Sequence, residues 1–307
     1  MMTEARKKEV EEGLEKSREL FKNRKLDEAQ QTIDALIDSL TDEEAVMEDD
    51  DYEYIDFKSP VEEGIYRSER DSIENEKKEL REEDKVQNDD EDADEESNKE
   101  IRLIDFPVSN MYVLSGSIAM EREDYGHALE QLGEAMDWNP INPEIAFEYA
   151  EVVKRMGSVD QFLELTKRIF PHIYTPAQLA HAYRNVAYYY ESKHDADKAL
   201  AMLAFSNGFE ESEGAKREIN AIMKDIGEES RQISSDDIKK ICEGDDIPFG
   251  PDVNVIQMTG GNGLYFFDKK NYNMSKYFLT LAYNLTHAPQ LKEKLDEIDK
   301  LQEKEDK

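Results

Sequence analysis

Five histidines, one cysteine and one glycine-rich stretch are the residues of this 307-residue chain whose types could support chemistry. His127, His172, His181, His194 and His287 never pair at metal-ligand spacing, and none opens an H-E-x-x-H helix, so no zinc site is expected. Cys242 sits in a charged helical stretch with no histidine nearby in sequence to draw off its proton, and no G-x-S-x-G elbow is present to expose a serine. The stretch Thr259-Gly-Gly-Asn-Gly-Leu264 has glycines enough for a phosphate cradle, but it lacks both a preceding strand and a following Gly-Lys-Ser/Thr. The acidic run from Asn88 to Ser97 would attract a divalent cation, yet it has no turn glycine of the kind a calcium loop needs. Carboxylates are too numerous for any one pair to stand out as acid and base. These residues predict a protein that is not an enzyme and holds no cofactor and no metal.

The elements that must position whatever work remains are helices, and their spacing is distinctive. From Tyr112 to Pro140 the chain places Gly116, Ala119, Tyr125, Ala128, Leu132 and Ala135 so that small side chains let two helix backbones approach while larger ones fill the space between. The frame returns about 34 residues later at Ala146, Tyr149, Ala150 and Val153, with a turn at Met156-Gly157-Ser158 followed by Phe162, Thr166 and Ile169. It returns again at Tyr183, Val186, Ala187, Tyr190, Ala199, Leu203 and Ser206, and more loosely at Gly263, Phe266, Tyr272, Ser275, Leu279 and Ala282. Half a unit stands near the start, with Leu20, Leu26, Ala29, Ile33 and Leu36.

These residues resemble the tetratricopeptide repeat, W-x2-L-G-x2-Y followed by A-x3-F and P, with departures at Ser115 and Ala119. The resemblance implies an all-α fold, an α-α superhelix of stacked hairpins that presents a concave surface to a protein or peptide partner. Gly263 then belongs to a close helix contact rather than to a phosphate site. A helix carrying Leu291, Leu295, Ile298 and Leu301 on one stripe, with charge elsewhere, suits the end of such an array.

Composition divides the chain. It is 38% hydrophobic and 36% charged, with a net charge of −34 and a mean hydropathy of −0.83. Residues 41 to 100 hold 27 acidic and 8 basic residues and so −19 of that charge, which predicts a mostly disordered linker. The expected organisation is an N-terminal helical hairpin at 1–40, the acidic linker at 41–100, a repeat array with one further helix at 101–227, and a C-terminal hairpin with its capping helix at 228–307. Within the linker, residues 52 to 66 are rich in apolar anchors, and Tyr54, Ile55 and Phe57 are expected to dock on the helical array. The absence of clustered Lys and Arg argues against nucleic acid. No apolar run has membrane-spanning length. One cysteine and no signal-like leader make the cytoplasm the expected location.

Outward positions on the first helix of each hairpin are the candidate contacts. Phe147 and Lys154 lie on one such helix, and His181, Arg184, Asn185 and Tyr188 on the next, where Arg and Tyr combine contact area with hydrogen bonding. Members of the family that bind acidic chaperone tails use Lys, Asn and Arg on these faces. Here Val113, Ser117, Glu148, His181 and Asn185 stand instead, and Glu144 and Glu151 would repel a carboxylate. The reading is a protein–protein interaction scaffold. The alternative is an acidic module, residues 41–100, that sequesters a basic protein or mimics nucleic acid.

Overall fold

The recurring small residues become a recurring turn. In the computed structural model, which describes residues 2–41, 44–84, 99–228 and 233–305, the chain is all-α, with helices packed in neighbouring pairs and two short strands. Four hairpins share one connection: α1 (Glu4–Lys22) to α2 (Leu26–Asp38), α4 (Val108–Glu121) to α5 (Tyr125–Trp138), α8 (Pro176–Ser192) to α9 (Ala196–Phe209), and α12 (Val253–Asp268) to α13 (Tyr272–Thr286). Each turns on one left-handed residue, Arg24, Glu123, His194 or Lys270, with φ between 58° and 62°. The next residue's N–H donates to the carbonyl five positions back, as from Asp124 to Ala119 and from Asp195 to Tyr190, both at 2.9 Å, which satisfies an orphan carbonyl at the helix end. In the last three hairpins that residue, Asp124, Asp195 or Asn271, also caps the following helix through its side chain.

Seven residues before each left-handed turn stands Ser17, Gly116, Ala187 or Gly263, and five after it Ala29, Ala128, Ala199 or Ser275; every non-glycine among them is fully buried. A Cβ on Gly116 would lie 2.7 Å from Leu132 Cγ, and one on Gly263 would lie 2.5 Å from Leu279 Cγ, so close helix approach excludes a side chain. Where serine takes the slot, its hydroxyl donates to the facing helix: Ser17 to Ala29 O at 2.9 Å and Ser275 to Gly263 O at 2.7 Å.

The chain forms two compact units, Met1–Met156 and Gly157–Lys307. The division falls inside the expected 101–227 array, between α6 (Pro143–Arg155) and α7 (Val159–Ile169). Helix α6 packs on α4 and α5, and α7 packs on α8, so each finds its neighbours within its own unit. The second unit also holds a 3-10 turn (Phe170–His172), α10 (Glu213–Asp225), α11 (Ser235–Gly244) and α14 (Pro289–Glu305). In α14, Leu295 and Ile298 bury against Leu279 as the stripe predicted.

The first unit departs from expectation in two ways. The N-terminal pair is part of the unit, because Val10, Leu14, Ile33 and Leu36 share one core with Val108, Met111, Ile118 and Trp138. Charged residues at the two turns reinforce it, through Arg24–Glu121 at 2.9 Å and Arg122–Asp27 at 3.1 Å. The segment expected to be disordered is also largely built: β1 (Tyr52–Ile55) pairs in parallel with β2 (Glu100–Leu103), and α3 (Pro60–Asp84) lies between them in sequence. Residues 85–98 of that segment, with the whole of the Asn88–Ser97 run, lie outside the described residues. Tyr54 packs on the shared core and Ile55 is buried, so the segment docks; Phe57 instead packs on Tyr66 of its own segment, with ring centroids 5.5 Å apart. Glu53, on the opposite face of the sheet from Tyr54, bonds Tyr66 and Arg70, which sets α3 on that side.

Two buried carboxylates explain how so acidic a segment folds. Asp56 Oδ2 accepts the Ser109 N–H at 2.9 Å, the Ser109 hydroxyl at 2.7 Å and the Lys58 ammonium, and so caps the start of α4 from 53 positions away. Glu62, fully buried, accepts from the Lys58 N–H at 2.7 Å and from the amides of Asn139 and Asn142 at 2.9 Å each. The Asn139 amide also donates to Asp56 O, and the Asp56 N–H to Trp138 O, both at 2.9 Å. Averaged charge conceals this. The carboxylates are ligands of specific donors, Asp56 at the start of α4 and Glu62 at the α5–α6 corner, rather than repelling surface groups.

Candidate protein-interaction surface

The candidate contacts lie on two helices in different compact units, α6 in the first and α8 in the second. Helix α8 opens with a capping box: Thr175 Oγ1 accepts from the Gln178 N–H, Gln178 Oε1 accepts from the Thr175 N–H, and Pro176 takes the first helical position. Its inner face is fixed by Leu179, Tyr183, Val186 and Tyr190, all buried. The Tyr183 ring packs among Phe170, Phe205 and Phe209 at centroid distances of 5.3, 4.6 and 5.8 Å. Its hydroxyl donates to Pro248 O at 2.9 Å and accepts the Gly250 N–H at 2.7 Å. Further along, Asp245 Oδ2 accepts from both the Tyr190 hydroxyl and the Lys198 ammonium at 2.6 Å. These bonds hold the rotation of α8, and spacing then turns His181, Arg184 and Tyr188 to the other side.

On that side Tyr188 is 39% exposed, and its ring meets Phe162 of α7 edge-on at 5.8 Å. The Arg184 side chain is 25% exposed, with Nη2 3.8 Å from Glu210 Oε2. Its Nη1 is buried and has no acceptor among the described residues. A guanidinium nitrogen left this way forfeits a charge-assisted hydrogen bond that an incoming acceptor restores. His181 is half-buried. The surroundings are acidic: burial, and then the Glu218 carboxylate, push the Glu191 carboxyl upward.

Two candidates are corrected. Asn185 is buried, because it shares the inner side of α8 with Ala182 and Val186. Phe147 is 3% exposed and joins Ile145, Ala150 and Val153 in the covered part of α6, leaving no ring area for a partner. Lys154 is ion-paired with Glu151 on its own helix. The rest of the α6 surface is a carboxylate rim cross-linked by Arg155, which bonds Glu151 at 3.2 Å and Glu121 at 3.1 Å. Within it the Glu148 carboxyl is raised above its ordinary range by burial first, then by the Glu151 and Glu144 carboxylates.

That shift has a measurable consequence. The folded state holds the Glu148 proton more readily than the unfolded chain does, so this group's contribution to stability is present below the ordinary carboxylate range and is lost as pH rises through the raised value. Glu148→Gln, which keeps the shape and removes the charge, is expected to raise the thermal midpoint at pH 7 and to have progressively less effect towards pH 4. An equal gain at both pH values would show that the charge is not the cause.

The residues first weighed for chemistry are placed differently. Cys242 is buried in α11 and its thiol is pushed up to about 11, chiefly by burial, which keeps it protonated. The glycine-rich stretch lies inside α12, where Leu279 occupies the space beside Gly263. No group of three or more His, Cys, Asp or Glu among the described residues is placed to hold a metal ion, and no described helix is long and apolar enough to cross a membrane. Glu210, Asp245 and the exposed Phe249, which stacks on Phe205, carry no local sequence signal that ties them to α8. Compared with known protein families and with curated proteins, the chain matches none.

Proposed function

We propose that this chain is a helical-hairpin scaffold of tetratricopeptide type that binds an extended peptide or protein segment, with the Arg184–Tyr188 face of α8 as its contact surface. The observation that carries the proposal is the pairing, one turn apart, of a half-exposed aromatic ring with a guanidinium whose Nη1 has no acceptor among the described residues. Arg and Tyr at such sites dominate binding energy because they bury area and bond directionally at once. The shared turn and small-residue slots of four hairpins support the family reading. Glu210 beside Arg184, and Glu191 two turns further along α8 with Glu218 near it, favour a ligand that brings a carbonyl or hydroxyl acceptor together with positive charge, rather than a carboxylate tail. A net charge of −34 opposes nucleic acid, and a single buried cysteine fits the reducing cytoplasm.

Selection of a displayed random-peptide library on the full-length chain tests this. Enriched peptides are expected to carry basic residues and to lose tenfold or more in affinity on Arg184→Ala or Tyr188→Ala, with the thermal midpoint unchanged. Enriched peptides that bind both variants as well as the parent would exclude this face.

A further inference from the structure

The outward face of α12 repeats the pattern by which this chain brings its own helices together, and no described residue answers it. In the four hairpins the second helix offers a small residue with Ile or Leu four positions on, Ala29–Ile33, Ala128–Leu132, Ala199–Leu203 and Ser275–Leu279, all fully buried. Where the facing residue is glycine, that leucine fills the hole beside it: a Cβ on Gly116 would strike Leu132, and one on Gly263 would strike Leu279. On α12, Gly260 stands four positions before Leu264 and Gly261 four before Tyr265, on the side away from the buried Val255 and Thr259. A Cβ on either of these glycines would meet no described atom within 4 Å. Around this notch Val253, Leu264 and Tyr265 are 58%, 49% and 56% exposed, and Gln257 is exposed as well. Large apolar side chains gathered on one exposed helix face mark a contact surface.

Three observations select a second copy of the chain as the occupant. Hole and knob lie on the same face, so two copies about a two-fold axis satisfy each other, with Leu264 of each over the glycine notch of the other. The face is uncharged: Val253 to Phe267 contains no Asp, Glu, Lys, Arg or His in a chain of which 36% is charged, so it offers nothing to a strongly basic or acidic partner, and a second chain carrying −34 meets least repulsion there. The ends are complementary under the same axis. Antiparallel pairing sets Asp252, at the start of α12, opposite Lys269 and Lys270 just past its end, with Asp268 beside those lysines at the rim. We propose that the chain self-associates through α12, two copies crossing at Gly260 and Gly261. This contact goes beyond the α8 face and does not depend on it.

Sedimentation equilibrium of the full-length chain tests this, at concentrations up to about 1 mM because a single helix crossing lies at the small end of interface sizes. A reversible monomer–dimer equilibrium is expected. It is expected to tighten at least threefold as sodium chloride rises from about 50 to about 500 mM, since salt screens the repulsion between two acidic chains and leaves an apolar contact in place. Gly261→Glu is expected to melt at or above the parent temperature, because its side chain enters open space and replaces a helical glycine, and to weaken the dimer at least tenfold. Leu264→Ser, which adds no charge, is expected to weaken the dimer as much, and Arg184→Ala to leave it unchanged. A chain that stays monomeric throughout this range overturns the proposal. So does a dimer that loosens with salt, one that survives both α12 variants, or one that Arg184→Ala abolishes. Should Gly261→Glu melt below the parent, Leu264→Ser decides alone.

Discussion

Glu62→Ala is expected to destabilise the first unit by about 3–5 kcal/mol, the usual scale for removing one partner from a buried charged network. Three donors lose their acceptor: the Lys58 N–H, the Asn139 amide and the Asn142 amide, all within 2.9 Å of the carboxylate. Two of them belong to the α5–α6 corner, so the loss spreads from the 52–66 segment into the helical hairpin it rests on. Thermal or denaturant unfolding measures the effect, with the exposed Asp50→Ala as the control that is expected to leave the midpoint in place. A Glu62→Ala midpoint equal to that of Asp50→Ala would mean that the segment is not held through this carboxylate.

The second large effect concerns the helix contact inside the α4–α5 hairpin. Ala128→Leu is expected to cost about 1–3 kcal/mol, because its methyl is fully buried where the two backbones approach. Gly116→Val is expected to cost a similar amount, since even a Cβ there would stand 2.7 Å from Leu132 Cγ and 3.2 Å from Ala128 O. Combining the two is expected to cost less than their sum, as one displacement of the helices relieves both. Gly133→Ala on the open side of α5, where a Cβ meets nothing within 4 Å, is expected to stabilise by up to about 1 kcal/mol through helix propensity. Unfolding curves for the four variants check the pattern, and Ala128→Leu melting with the parent would remove the close contact from the account.

The hairpins were legible in the sequence because their determinants are local. A small residue seven positions before a turn and another five after it leave a periodic trace, and the structure fills those positions with Gly116, Ala128, Ala187, Ala199, Gly263 and Ser275. How the described part of the 41–100 segment folds was not legible, because its determinants are remote. Asp56 finds its donors at Ser109, and Glu62 at Asn139 and Asn142, separations of 53, 77 and 80 residues that no window of composition can register. The division between units was hidden for a related reason: the repeat frame runs on through Gly157, whose φ of 80° marks the expected turn, while α6 and α7 pack on different neighbours.

The candidate contacts divide in the same way. Helical spacing correctly turned Arg184 and Tyr188 away from the Tyr183–Tyr190 core. It could not register the covering of Phe147 and Asn185, which depends on three-dimensional neighbours. The acceptor-poor state of Arg184 Nη1 is likewise a property of the folded surroundings, since Glu210 lies 26 positions away and reaches only Nη2, at 3.8 Å.

The central claim is that the outward face of α8 receives a partner, and the amide-exchange footprint of a library-selected peptide on the full-length chain tests it most directly. The account predicts slowed exchange along α8, with Tyr188 ring resonances shifted and the footprint erased by Arg184→Ala. A footprint that leaves α8 untouched, or one that survives Arg184→Ala intact, would contradict it.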